Sequence, residues 1–149
     1  MNLRNAVFVM VIALLTAGCG GGSKKIPLTP LAMTLDVRSD PAVNNGEVFW
    51  MVVKEVDENE FSYDSYDAMA AIVASDTWGP DVLTVCSIVP GRERRLTINQ
   101  PTYRSAGFYF LFSNPQEYWK VLTHQPIGKH AVLHIDQYKA WVTSTNSTF

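Results

Sequence analysis

The sequence predicts an all-β protein, an antiparallel β-sandwich of two sheets with one short helical segment inserted early in the chain. Seven or eight short runs rich in β-branched and aromatic residues recur across residues 33–143, separated by clusters of Gly, Pro, Asn and Asp. The apolar period changes from two to about 3.6 only once, near residues 64–75. Many short strands joined by turn-rich connections are typical of a sandwich.

The first residues have the order of a bacterial lipoprotein signal peptide. Arg4 supplies a positive charge, residues 6–15 form an apolar run, and two small residues precede Cys19. The run is too short for a membrane-spanning helix, which needs about 20 residues. We therefore predict that residues 1–18 are removed and that the Cys19 thiol receives a diacylglycerol anchor. The alternative is an ordinary secretory peptide cut near Ala17, which leaves a soluble protein.

The residues that follow the cysteine predict a tether and a location. Residues 19–32 begin with a Gly-rich run, carry two lysines and contain two prolines, a composition typical of a flexible linker. Gly20 stands where Asp favours retention in the inner membrane, so we expect attachment to the periplasmic face of the outer membrane. The β-sandwich domain is predicted over residues 33–143, with a disordered tail at 144–149.

The composition excludes several classes of function. The chain has 149 residues, a formal net charge of −2 and two cysteines. Its basic residues are scattered except for Arg92, Arg94 and Arg95, which we interpret as a solvated arm, so no nucleic-acid partner is expected. With Cys19 lipidated, Cys86 has no partner for an internal disulfide and is expected to fill the core from within the strand-like run 82–88.

Local patterns predict the elements of the first half. Leu35 and Val37 alternate with polar residues and predict the first strand. Residues 39–47 contain nearly every turn-forming residue type and predict a protruding loop. The apolar run at 48–56 predicts a second strand covered on both faces. Asp64 is predicted to cap the helix that follows.

The second half predicts further strands. Pro90 and Gly91 fit the two central positions of a type II turn, which predicts a hairpin between strands at 81–88 and 94–98. The remaining strands are predicted at residues 106–112, 118–122 and 131–142, the last stretch holding one or two.

No combination of side chains predicts catalysis or metal binding. On a strand, His130 and His134 lie about 13 Å apart, too far to share one zinc ion. The acidic stretch at 57–67 lacks the Gly and Glu that a calcium loop requires at its sixth and twelfth positions. We therefore predict no catalytic residue, cofactor, metal or small-molecule substrate, and the protein is not expected to be an enzyme.

The order of these features resembles the TssJ family, the outer-membrane lipoproteins of type VI secretion systems, also called VasD or SciN. That family has a lipobox, a first strand, an Asn-containing loop, a Val-rich strand and a Phe before a short acidic helix. A strand, a basic Pro-Gly turn, an aromatic strand and a Trp before a basic residue follow. Here the lipobox ends at Cys19, the first strand is 35–38, the loop is 39–47, the Val-rich strand is 48–56, and Phe61 precedes the helical segment 64–75. The next strand is 82–88, the basic turn is Pro90-Gly91-Arg92 and a short strand is 94–98. The aromatic strand is 109–112, and the turn Asn114-Pro115 and the pair Trp119-Lys120 follow it.

The resemblance implies a transthyretin-like sandwich that tethers a type VI secretion membrane complex to the outer membrane. The implied partner is the periplasmic domain of TssM, the inner-membrane IcmF-like subunit, bound through the first inter-strand loop. Asp40, Asn44 and Asn45 are the expected hydrogen-bonding contacts. In full, the implied binding loop comprises Ser39, Asp40, Pro41, Ala42, Val43, Asn44, Asn45, Gly46 and Glu47.

Two alternative functions stay open from the sequence. The first is a transthyretin-like lipoprotein of another envelope complex, which would share the fold and the anchor. The second is a periplasmic lipoprotein that binds a ligand or hydrolyses a substrate, for which the four tryptophans and the aromatic strand would line a cavity.

Overall fold

The computed structural model describes residues 31–101 and 104–145, so the predicted leader, Cys19, most of the tether and residues 146–149 lie outside it. Within the described ranges, no helix is long and apolar enough to cross a membrane. The elements are β1 (Ala32–Ser39), a 3-10 turn (Val43–Gly46), β2 (Phe49–Val56), α1 (Glu58–Tyr63), α2 (Tyr66–Val73), β3 (Val82–Ile88), β4 (Arg94–Asn99), β5 (Ser105–Leu111), β6 (Lys120–Thr123), β7 (His130–Ile135) and β8 (Ala140–Thr145).

The strands form two four-stranded sheets, which confirms the predicted sandwich. The first sheet has the order β4-β1-β7-β8 and the second has the order β3-β2-β5-β6. β1 and β7 run parallel, whereas the other neighbouring pairs are antiparallel. A parallel pair cannot be joined by a tight turn. Here all four strands of the second sheet lie between β1 and β7 in the chain.

The turn at Pro90 and Gly91 does not form the predicted hairpin. The turn itself has the expected geometry, because Gly91 has a φ of +75° and the Arg92 N–H donates to the Val89 carbonyl at 3.1 Å. β3, however, pairs with β2 in the second sheet, and β4 pairs with β1 in the first. The chain therefore passes from the second sheet to the first at this turn. β3 and β4 each pair with a strand that is distant in sequence and do not pair with each other.

The inserted segment contains two helices rather than one. Asp57 begins α1 with a capping box, and Ser65 begins α2 by accepting the Ala68 backbone N–H at 3.2 Å. The prediction that Asp64 caps the helix is wrong. Asp64 follows the last turn of α1, and its carboxylate accepts a hydrogen bond from the Tyr109 hydroxyl instead.

The core lies between the two sheets and follows the alternation of the strands. Leu35 and Val37 are fully buried, as the pattern of the first strand predicts. Cys86 is also buried, which confirms its expected place in the core, and burial raises the pKa of its thiol. The largest buried side chains facing this core belong to Phe49, Phe108, Phe110, Leu35, Met51, Ile88 and Leu133.

The two helices cover part of the outer face of the second sheet. Met69 of α2 packs against Val52 and Tyr109, all three of which are buried. Trp50, two residues before Val52 on the same face, is 45% exposed. β2 is therefore covered on both faces only beneath the helices, and its outer face at Trp50 borders the solvent beside the first loop.

Candidate partner-binding site

The first inter-strand loop is a folded turn rather than a loose connection. Val43 is fully buried in the core between the sheets. Asn44 and Asn45 have φ values of 50° and 57°, and Gly46 has a φ of 79°. These values lie in the left-handed region, which Asn and Gly tolerate better than other residues. The conformation therefore explains why the sequence reads Asn-Asn-Gly at this point.

Hydrogen bonds fix the start of the loop to the body of the domain. The Asp40 N–H donates to the Ile135 carbonyl at the end of β7 at 2.9 Å, and the Gly91 N–H donates to the Ser39 carbonyl at 3.0 Å. The Asp40 carboxylate accepts the Ala42 N–H at 2.8 Å and closes a tight local turn. Both the seventh strand and the β3–β4 turn thus support the loop.

Asn44 joins the first loop to the segment that follows β5. Its side-chain oxygen accepts the Ser113 backbone N–H at 2.8 Å, and its amide nitrogen donates to the Glu47 carbonyl at 3.0 Å. The Ser113 hydroxyl in turn donates to the Glu47 carboxylate at 2.8 Å. The sequence did not indicate a role for Ser113, because no local pattern predicts a hydrogen bond between residues that are 69 positions apart.

The structure places the nine predicted binding residues in one loop but gives them different roles. Asp40, Pro41, Ala42, Asn45, Gly46 and Glu47 are exposed, Ser39 and Asn44 are half-buried, and Val43 is buried. Of the three expected hydrogen-bonding contacts, Asp40 and Asn44 bond to the loop itself. Among the described residues, the side chain of Asn45 has no hydrogen-bond partner. Asn45 is therefore the contact whose amide group is available to a partner.

A groove of about 210 Å³ lies beside the loop. It is bounded by the first loop, by the connection between β5 and β6, and by the turn between β7 and β8. The polar residues that line it carry amide and phenol groups: Asn44, Asn45, Asn114, Gln116, Tyr118, Gln137 and Tyr138. The sequence signalled these segments only as turns, so their meeting at one end of the sandwich was not predicted.

An ion-pair cluster occupies the outer face of the first sheet. Asp36, which is 8% exposed, accepts hydrogen bonds from Arg95 at 2.6 and 3.0 Å and lies 3.0 Å from His130 Nε2. The hydrogen bonds from Arg95, followed by that from His130, hold the pKa of the Asp36 carboxyl well below its usual range. Arg95 is solvated, as predicted, with 74% of its side chain exposed, and it also forms an ion pair with Asp36.

The two histidines considered as metal ligands have other neighbours. Both lie on β7, as predicted, and the His134 ring stacks on Trp141 with centroids 5.0 Å apart. Within residues 31–101 and 104–145, no group of three or more His, Cys, Asp or Glu side chains could hold a metal ion. The outer face of the first sheet therefore presents hydrogen-bonding groups and partly exposed aromatic rings, which are typical of a binding surface.

A lysine on β6 holds the helical segment in place. The Lys120 ammonium donates to the carbonyls of Phe61, Ser62 and Asp64 at 2.6, 3.2 and 3.0 Å. These carbonyls lie at the end of α1, where a cation also interacts favourably with the helix dipole. The Trp119-Lys120 pair, which the resemblance singled out, therefore has a structural role under the helices.

The sandwich of two four-stranded sheets, with helices over one face, has the fold seen in solved structures of type VI secretion lipoproteins. The T6SS lipoprotein TssJ1 from Pseudomonas aeruginosa matches with a TM-score of 0.59 at 18% identity, over 80% of this chain and 100% of that chain. Serratia marcescens Lip, a membrane-bound component of the type VI secretion system, matches with a TM-score of 0.57 at 15% identity, over 78% and 99%.

A third similar structure is described as the T6SS protein TssM C-terminal domain from EAEC, with a TM-score of 0.53 at 14% identity, over 74% of this chain and 99% of that chain. At these identities the likeness shows a shared fold. No curated protein sequence matches this chain. A family model described as IglE, N-terminal domain, matches residues 50–136. The chain belongs to the IglE N-terminal domain family.

Proposed function

We propose that this protein is a lipid-anchored adaptor that tethers a type VI secretion membrane complex to the outer membrane. It does so by binding the periplasmic domain of a TssM-like inner-membrane subunit. Membership of the IglE N-terminal domain family, the TssJ-type fold and the predicted lipoprotein leader support this role. The TssM-like partner is the one that the resemblance of the sequence to the TssJ family implies.

The observation that carries the proposal is the prefolded first loop. Val43 anchors it in the core and Asn44 ties it to Ser113, so the exposed Asn45 is held on a fixed backbone. A loop that is ordered before binding loses little conformational entropy when a partner docks. This loop is therefore suited to recognition of another protein, and its exposed residues lie on a rigid scaffold.

The loop is tested by Asn45→Gly, because glycine keeps the left-handed backbone and removes only the side-chain amide. We expect the affinity for the TssM-like periplasmic domain to fall about tenfold or more. Asn99→Ala is the matched control, since Asn99 is an exposed amide beside Ala32 at the other end of β1. Equal affinities of Asn45→Gly and the unmodified protein contradict the loop assignment.

The anchor is tested by Cys19→Ser. We expect the variant to fold and to bind the partner but to leave the outer-membrane fraction when its partners are deleted. Circular dichroism and partner pull-down provide the controls for folding and binding. A Cys19→Ser protein that still fractionates with the outer membrane in the absence of its partners contradicts the lipid anchor.

A further inference from the structure

We infer that the groove beside the first loop receives an uncharged, extended peptide segment of the TssM-like partner. The groove, called the amide groove below, is defined by Asn45, Asn114, Gln116, Tyr118, Gln137 and Tyr138. This inference rests on the proposed function and extends the interface beyond the first loop, to the β5–β6 connection and the β7–β8 turn.

The lining of the amide groove favours a neutral, hydrogen-bonding ligand. None of the side chains that line it is charged, although charged residues make up 17% of the chain. A side-chain amide offers a donor and an acceptor, the same pair of groups that a peptide unit presents. A charged ligand would lose hydration in the groove without meeting an opposite charge among the side chains that line it. The groove is therefore matched to peptide main chain and to small polar side chains.

Tyr138 has the properties of an anchor residue. Its side chain is 83% exposed, yet its backbone is fixed, because the Asp136 carboxylate accepts the N–H groups of Tyr138 and Lys139 at 2.7 and 2.8 Å. A rigid turn that presents an exposed tyrosine loses little entropy on binding and buries much area. Gln137 lies beside it on the same turn and supplies an amide at the rim of the groove.

The opposite wall and the floor are also ordered. The Gln116 side chain donates to the Asn114 carbonyl at 3.1 Å, which holds the β5–β6 connection in a compact shape. The Tyr118 ring packs against Phe112, with centroids 5.5 Å apart, and forms an apolar floor. Since the bonds of Asn44 to Ser113 link this wall to the first loop, the groove and the loop present one continuous surface.

The size of the groove favours a segment of a protein over a small-molecule ligand. Its volume of about 210 Å³ is below the roughly 300–1,000 Å³ typical of small-molecule pockets. Its Tyr and Asn residues are types enriched in antibody binding loops, which combine rigid aromatic rings with adaptable hydrogen-bonding groups. A docked peptide segment completes its contacts on the neighbouring first loop.

The test compares the full-length lipoprotein in detergent with a Gln137→Ala, Tyr138→Ala variant for binding to the periplasmic domain of the TssM-like protein. We expect the affinity to fall about tenfold or more. Tyr63→Ala is the matched control, because Tyr63 is 88% exposed and lies on α1, away from the groove, and it should change affinity less than about twofold. The loss should be the same at about 50 and 500 mM salt, since screening acts only on charges.

The outcomes separate the inference from the proposed function. If the unmodified protein binds and the double variant binds equally well, the amide groove is overturned and the first-loop interface stands. If the unmodified protein does not bind at all, both are overturned. If the loss of affinity disappears at high salt, the ligand is not uncharged and that part of the inference is overturned. If the variant loses binding to isolated glycan strands but keeps its binding to the partner, the ligand of the groove is a glycan and the peptide is overturned. If the double variant does not fold, Gln116→Ala on the opposite wall provides the same comparison.

Discussion

The side-chain oxygen of Asn44 accepts the backbone N–H of Ser113 at 2.8 Å and joins two loops that lie 69 residues apart. A second bond from the Asn44 amide to the Glu47 carbonyl closes the first loop on itself. The first loop and the β5–β6 connection therefore form one unit. Any change that frees Asn44 should loosen both the proposed loop interface and the amide groove.

Asn44→Ala should lower the free energy of unfolding by about 1–3 kcal/mol, because the variant leaves the Ser113 N–H without its partner. Urea unfolding of the purified protein measures the change. Asn45→Ala is the control, since Asn45 has nearly the same left-handed φ but no described hydrogen bond. Asn45→Ala carries the cost of a left-handed alanine but breaks no described hydrogen bond. Equal losses of unfolding free energy in the two variants would show that the hydrogen bonds of Asn44 contribute nothing.

Gly91→Ala should destabilise the protein more than Gly46→Ala. Both glycines have positive φ, of 75° and 79°, so both variants carry the cost of a left-handed alanine, about 1 kcal/mol or more. A Cβ on Gly91 would also lie 3.1 Å from Pro41 Cγ, whereas a Cβ on Gly46 meets its nearest neighbour at 3.6 Å. The crowding should therefore appear as the difference between their thermal midpoints. Identical midpoints would contradict the contact with Pro41.

Lys120→Met should lower the free energy of unfolding by about 1.5–3 kcal/mol, because methionine keeps the apolar stem and removes the ammonium that satisfies three carbonyls. Amide hydrogen exchange should increase first in residues 58–64. Lys139→Met provides the comparison, since the exposed Lys139 ammonium lies 4.9 Å from the Trp141 ring centroid and its loss should cost less than about 1 kcal/mol. Similar losses in both would argue against the capping role.

Asp36→Asn should reduce stability at neutral pH, and its deficit relative to the unmodified protein should shrink as the pH falls below about 4. Arg95 and His130 hold the pKa of folded Asp36 below its ordinary value of 3.8, so the unfolded chain binds its proton first as acid is added. The stabilisation is therefore complete above the unfolded pKa and is lost as the pH falls toward the folded one.

Urea unfolding at pH 7 and pH 3 measures this effect. Asp76→Asn is the control, because Asp76 is exposed and no ion pair is found for it among the described residues. A deficit of Asp36→Asn that is equally large at both pH values would show that the ion pair does not carry the pH dependence.

Elements with strong local patterns were predictable, and pairings between distant strands were not. The alternation around Leu35 and Val37 placed β1 correctly, and Pro90-Gly91 predicted a turn of the right type. The residues of the turn could not show that β3 and β4 join different sheets. That outcome depends on β3 pairing with β2 and on β4 pairing with β1, which are both distant in sequence. The parallel pairing of β1 with β7 has no local signature for the same reason.

The site shows the same division. The turn-forming composition of residues 39–47 located the loop, and Asn45 and Gly46 marked its left-handed residues. The burial of Val43 and the bonds of Asn44 depend on neighbours from other elements, so the composition of this mostly exposed loop could not show that it is anchored at these two residues. Asp64 does not cap the helix as predicted, because its carboxylate accepts a hydrogen bond from the hydroxyl of Tyr109, 45 residues away.

The place of β1 in its sheet has a mechanical consequence. The strand begins at Ala32, where the predicted tether ends, and finishes at Ser39, where the first loop begins. It lies between β4 and β7, with six paired residues on each side. In the proposed assembly, tension between membrane and partner runs along the covalent backbone of this strand from Ala32 to Ser39, so the hydrogen-bond ladders on its two sides carry little of the load. The two helices on the outer face of the second sheet lie beside this path and take no part in it.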